Sequence, residues 1–273
     1  MTSDSGSQPP VTGNACPSCG VGQAAAVPCC PDCGRPWAAA PPEGDITGWV
    51  KTGWALFLSN IPMAIGLALL AVVPVIAFFI FAYFGMLGVA ILADSEVDAP
   101  HVLAILLGAI LGLMAMALAL AMPALQAGVY ACFLDGIRTG KLSAHNIGAG
   151  FRNWWSCTWV AWALGAALVL CIPLMLILVG IAASLAVQSL LWLSLFRIVD
   201  KGRGGIEALS FAWGVMCKRP WMILVYTCLV FVLMNSGAMC MYFGALVTVP
   251  IGIAVLAAAY ESLRREQEPA SGP

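Results

Sequence analysis

Two short repeats hold the residues best suited to chemistry. Cys16, Pro17, Ser18, Cys19, Gly20 and Cys30, Pro31, Asp32, Cys33, Gly34 form the same knuckle twice, with ten residues separating Cys19 from Cys30. Each knuckle offers two thiolates from a tight turn, and its glycine lets backbone amides approach the sulfurs. The four thiolates Cys16, Cys19, Cys30 and Cys33 suit a closed tetrahedral zinc site with no position left for a catalytic water. Such a metal is structural: it holds together a segment too small to have a core. A disulfide pair or an iron centre are the other uses of this spacing. Cys29 is a spare, and Cys132, Cys157, Cys171, Cys217, Cys228 and Cys240 lack ligand spacing and read as small apolar residues.

Elsewhere chemistry is sparse, because the chain is built for lipid. Of its 273 residues 62% are apolar and 9% charged, and mean hydropathy is +0.95. A soluble globule carries about 25% charged residues. The net charge of -1 supplies no concentrated basic face, so no nucleic-acid partner is expected. Met1 to Val11 has no basic stretch followed by an apolar core, so no secretory signal is expected and the first span should act as its own address.

Composition divides the chain into a disordered lead at 1–15, a Cys-rich ribbon at 16–36, a linker at 37–44, a membrane domain at 45–265 and a disordered tail at 266–273. A crossing needs about 20 apolar residues. On that length six spans are expected: Ile61 to about Phe84, about His101 to Met122 with helix continuing through Pro123 to Ile137, Cys157 to Val179, Ile181 to Val199, Trp221 to Gly237, and about Cys240 to Tyr260. The first apolar run continues to Leu92, which is long enough to demand a tilt or a break near Pro74 or Gly85; Gly180 is the expected turn between the third and fourth spans.

Threaded this way, all twelve Lys and Arg residues fall on one side. The hydrophilic break on the other side, Ala93 to Pro100, carries Asp94, Glu96 and Asp98 and no basic residue. The positive-inside rule therefore puts both termini in the cytosol of a plasma (bacterial inner) membrane, where thiols stay reduced; that argues against disulfides in the ribbon.

A threefold pattern runs through the membrane domain. Aromatic approach segments precede the odd spans: Gly48, Trp49 and Trp54; Phe151, Trp154 and Trp155; Phe211 and Trp213. Trp suits the headgroup layer, so these segments are expected to lie along the inner leaflet. The even spans close on Phe133, Asp135, Gly136 and Arg138, then on Phe196, Asp200, Gly202 and Arg203, and more loosely on Tyr260, Glu261 and Arg264. The fold expected is all-α and integral to the membrane, with six transmembrane helices as three hairpins, interfacial helices, and a small zinc ribbon in front.

Residues 16–36 resemble the zinc-ribbon family, some members of which contact protein partners; a single basic residue, Arg35, disfavours nucleic acid. The stretches Phe133 to Arg152, Ile198 to Trp221 and Val247 to Tyr260 resemble a group of bacterial six-span membrane proteins, some with a ribbon in front, and the membrane domain attached to certain glycerophosphodiester phosphodiesterases. The resemblance covers roughly Ile46 to Leu263. This chain stops soon after Arg265, without room for the soluble catalytic barrel of such an enzyme, so no hydrolytic activity is expected from the resemblance.

No charged residue is expected at mid-membrane. Gln126, Gln188, Ser184, Ser189, Thr227, Asn235 and Ser236 are the polar groups there, and such groups usually stitch helices together. His101 and His145 lack neighbouring ligands. Gly108 with Gly112, and Gly165 among Ala161, Ala166 and Ala167, allow close helix approach, within the chain or in a homo-oligomer. Nothing at recognisable spacing forms a catalytic constellation. Two roles follow: a non-enzymatic scaffold that recruits a cytosolic protein partner through the ribbon, or a small permease or lipid-handling protein in contact with membrane lipids.

Overall fold

The computed structural model describes residues 46–93, 98–174, 179–239 and 244–267. The ribbon cysteines Cys16, Cys19, Cys30 and Cys33 lie outside them, as do the lead, the linker and most of the tail. The described residues are helical, with short connections and no strand among them.

Among the described residues nine α-helices follow one another: α1 (Ile46–Ser59), α2 (Ile61–Ala93), α3 (Asp98–Thr139), α4 (Gly148–Arg152), α5 (Trp154–Cys171), α6 (Val179–Lys201), α7 (Gly205–Lys218), α8 (Pro220–Met239) and α9 (Ala245–Gln267). Six are long and apolar enough to cross a membrane, over Ile61–Leu87, Gly108–Thr139, Trp154–Cys171, Val179–Lys201, Pro220–Gly237 and Ala245–Gln267. They pair in sequence as α2 with α3, α5 with α6 and α8 with α9, and each pair follows a shorter helical segment. The outward surface is strongly apolar: Phe79 and Tyr83 are each 65% exposed and Leu113 is 71% exposed. Such a surface is stable only against lipid, and the fold is that of an α-helical multi-pass membrane protein.

Two boundaries differ from the sequence expectation. α2 runs unbroken through Pro74 and Gly85, which leaves tilt as the way to fit its 33 residues. The α5–α6 connection comes earlier than Gly180, which sits in the first turn of α6 and is buried. Pro173 has no N–H to continue the helix ladder, and at Ile172, still helical at φ -56° and ψ -52°, the amide folds back to the Val169 carbonyl at 3.1 Å.

α9 occupies the axis of the bundle. Every residue from Pro250 to Leu263 is buried, and α9 touches α1, α2, α3, α6 and α8. Ala254, Ala257, Ala258 and Ala259 are fully buried. Small side chains suit this position because helix association in lipid relies on close van der Waals packing. α1 exploits the same rule from the other partner: a Cβ on Gly53 would come within 2.7 Å of the Val255 backbone nitrogen, so the two helices cross nearly backbone to backbone.

The aromatic approach residues divide. Trp49 is fully buried and meets Tyr226 of α8 edge-on, with ring centroids 4.9 Å apart; it is part of the core rather than of a headgroup layer. Trp54, Trp154, Trp155, Trp213 and Trp221 are exposed. Phe151 lies on α4, while Trp154 and Trp155 already form the first turn of α5.

Candidate functional site

α3, α6 and α9 all end on one cluster of charged side chains. Arg138 is the last-turn cation of α3, Asp200 lies at the end of α6, and Glu261, Arg264 and Arg265 belong to the last turns of α9. Gly140 and Gly202, at φ 75° and 63°, take the left-handed conformation that ends α3 and α6. Their amides return to the carbonyls of Gly136 and Ile198 at 2.8 and 2.9 Å. The sequence repeat paired Gly136 with Gly202; Gly140 is the residue with the matching role.

Arg138 bridges the two carboxylates. Its Nη2 lies 2.7 Å from Asp200 Oδ1 and 2.8 Å from Glu261 Oε2, and its Nε donates to the same Glu261 oxygen at 2.9 Å. The other oxygen of Glu261 accepts from Arg264 Nη2 at 2.7 Å and from Arg265 Nε at 2.9 Å. Asp200 Oδ2 accepts from the Tyr260 hydroxyl at 3.0 Å. The carboxylates are sealed, at 1% exposure for Glu261 and 5% for Asp200, while the guanidinium residues reach outward at 33% for Arg138, 22% for Arg264 and 43% for Arg265. Buried carboxylates are tolerated because several charge-assisted donors replace their water. Charge is therefore buried in this protein, at the ends of the spans.

Aromatic rings from the same three helices lie beneath the ions. Phe196 of α6 stacks between Tyr130 of α3, at 4.8 Å and 12°, and Tyr260 of α9, at 5.3 Å and 17°. Trp192 and Tyr226 continue this contact toward Trp49. α7 joins through Phe211, whose ring lies under the buried Arg197 guanidinium at 4.5 Å and beside Tyr260 at 6.1 Å. Ions and rings together register three hairpins and two shorter helices. The end-of-span repeat contains every ionic member except Arg265; Arg197 and the packing of Tyr130 carry no such signal.

The mid-membrane polar residues behave differently from the sequence expectation. Ser184, Ser189, Ser236 and Asn235 bond carbonyls of their own helices, those of Ile181, Ala186, Leu233 and Phe231, each at 2.8 Å. Bonds between helices come from other residues: Trp154 Nε1 and the Thr158 hydroxyl both donate to the Leu120 carbonyl, at 2.8 and 3.1 Å, and Thr248 donates to the Met234 carbonyl at 3.3 Å. Gln188 is half-buried. Gln126 lines an open, largely apolar groove of about 740 Å³ between α2, α3 and α5, together with Phe78, Trp162 and Gly165. A Cβ on Gly165 or Gly112 would meet nothing within 4 Å, so these small residues face open space and do not pack helices within the chain. His145 contacts Asn146 in the connection after α3, and the side chain of His101 lies outside the described residues. Among the described residues no three His, Cys, Asp or Glu side chains converge as metal ligands.

Fold and site together define a multi-pass helical membrane protein whose hairpins are pinned at one end by a buried ion cluster. Known protein families, curated proteins and solved structures contain no match to the chain.

Proposed function

We propose that this is a non-enzymatic scaffold of the bacterial inner membrane, holding a cytosolic zinc ribbon on a rigid bundle so that the ribbon recruits a protein partner. The observation that carries the reading is the filling of the bundle axis by α9, buried from Pro250 to Leu263. A helix on the axis takes the place where a six-helix permease needs its substrate path. The ion cluster fixes that helix to its neighbours, as suits a platform better than a rocking transporter.

The ribbon's zinc rests on the spacing of Cys16, Cys19, Cys30 and Cys33. Metal analysis of the purified chain is expected to find one zinc per chain, lost in the Cys16→Ser/Cys19→Ser variant, while the membrane domain keeps its helical signal and melting. A co-purifying protein present in stoichiometric amount should disappear with the metal. Retention of the partner after metal loss would remove the ribbon from the proposal.

Cytosolic termini follow from the basic residues, and labelling checks them. With an impermeant thiol reagent on intact cells, Ser95→Cys is expected to react and Lys141→Cys to stay unlabelled, each compared with the unmodified chain. The reverse pattern would invert the topology.

A second reading, lipid handling, is favoured by the sideways-open groove containing Gln126. Reconstituted vesicles decide between the two: scaffolding predicts no lipid scrambling or solute flux above that of empty vesicles.

A further inference from the structure

The ion cluster is asymmetric in a way that bundle stability does not require. Three guanidiniums, on Arg138, Arg264 and Arg265, surround two carboxylates, on Asp200 and Glu261. The anions face inward at 1% and 5% exposure, and the cations supply the outer surface at 22% to 43%. The bonds to the carboxylates engage Nε and Nη2 of Arg138 and Arg264, and Nε of Arg265. Each guanidinium carries five N–H donors, so each keeps donors that these bonds do not use. The cluster presents a positive, donor-rich surface over a sealed negative base.

Depth identifies what such a surface meets. The start of α8 lies where α9 closes: Arg219, just before α8, pairs with Glu266 at 3.4 Å, beside Arg265. Exposed Trp221 at the start of α8 and exposed Trp213 on α7, close in sequence to the Phe211 that meets Tyr260, therefore lie at the cluster's end of the bundle. Indole rings settle at the headgroup layer. Guanidinium forks match phosphate oxygens, and a headgroup brings its phosphate to this depth.

We propose that Arg138, Arg264 and Arg265 bind the phosphodiester of an anionic phospholipid, clamping one headgroup over the junction of α3, α6 and α9. Bound there, the lipid neutralises the surplus cation and ties the bundle to its leaflet. The proposal requires the membrane fold and is independent of the scaffolding role.

Native mass spectrometry of the full chain, delipidated in neutral detergent, tests it by titration with phosphatidylglycerol, phosphatidylcholine or inorganic phosphate. Phosphatidylglycerol is expected to bind about tenfold tighter than phosphatidylcholine, the scale of one charge-assisted contact. Arg265→Gln should remove most of that preference and Arg265→Lys should fall between, because lysine keeps the charge without the fork. Lys51→Gln, which removes the same charge from the exposed face of α1, should leave it intact. Melting of each variant in the same detergent is expected to confirm that it is folded. Equal binding of the two lipids overturns the proposal. So does an equal loss in Lys51→Gln, which would mean diffuse attraction, or saturation by inorganic phosphate without lipid preference, which would make the occupant a free anion.

Discussion

Glu261→Ala is expected to destabilise the bundle by about 3–5 kcal/mol, the usual cost of removing one partner from a buried ion pair. The size follows from what remains. Arg138, Arg264 and Arg265 all bond the Glu261 carboxylate; without it Arg138 and Arg264 are left with Asp200, and Arg265 loses the carboxylate it bonds. Equilibrium unfolding in mixed micelles checks the value. Glu261→Gln should be nearly as damaging, since its amide group sets a donor against guanidinium donors. A loss within about 0.5 kcal/mol for Glu261→Ala, the range of surface changes, would mean that the cluster is an ornament of the helix ends.

A backbone contact supplies the second large effect. The turn at Ala144–Ile147 and α4 press directly on α3, and a Cβ on Gly150 would overlap the Ala124 carbonyl oxygen and lie 2.6 Å from the Gly128 nitrogen. Both obstacles are main chain of another helix, so no rotamer change relieves them. Gly150→Ala is expected to cost about 3 kcal/mol, the upper part of the overpacking range. Gly148→Ala is the matched control: its φ of -62° is helical and nothing lies within 4 Å of the added methyl. That variant should be neutral or more stable by up to about 1 kcal/mol. A chemical readout accompanies the energetic one. Cys157 is fully buried with Sγ 4.0 Å from the Gly150 carbonyl, so a membrane-permeant thiol reagent should reach it faster in Gly150→Ala than in Gly148→Ala.

These two effects show where sequence reasoning stops. The end-of-span pattern names Arg138, Asp200, Glu261 and Arg264 at the ends of three units, and they meet, whereas its Arg203 pairs with Glu207 at 3.3 Å. That they meet on one point, with Arg138 bridging two helices, depends on how each helix is rotated. The pattern also treated Trp49 and Trp54 alike. They are five residues apart and therefore on different faces of α1, and Gly53 lets the helix sink against Val255 until Trp49 is buried and Trp54 is not. Ser184, Ser189 and Asn235 were legible as polar groups in apolar helices, but a carbonyl one turn back on the same helix is always within reach, so polarity alone could not specify bonds between helices.

By itself the chain's order of residues determined the all-helical membrane class, the six spans and the end of the bundle that gathers the basic residues. Each of these depends on the solvation of a contiguous segment: twenty apolar residues need lipid whatever lies beside them, and clustered charge needs water. Only the tertiary structure decided that α9 fills the axis, that Trp49 belongs to the core, and that three helix ends share two buried carboxylates. Those outcomes come from packing between segments distant in sequence, where small residues such as Gly53, Gly150 and Ala254 set how closely backbones approach, and no local pattern encodes the neighbour.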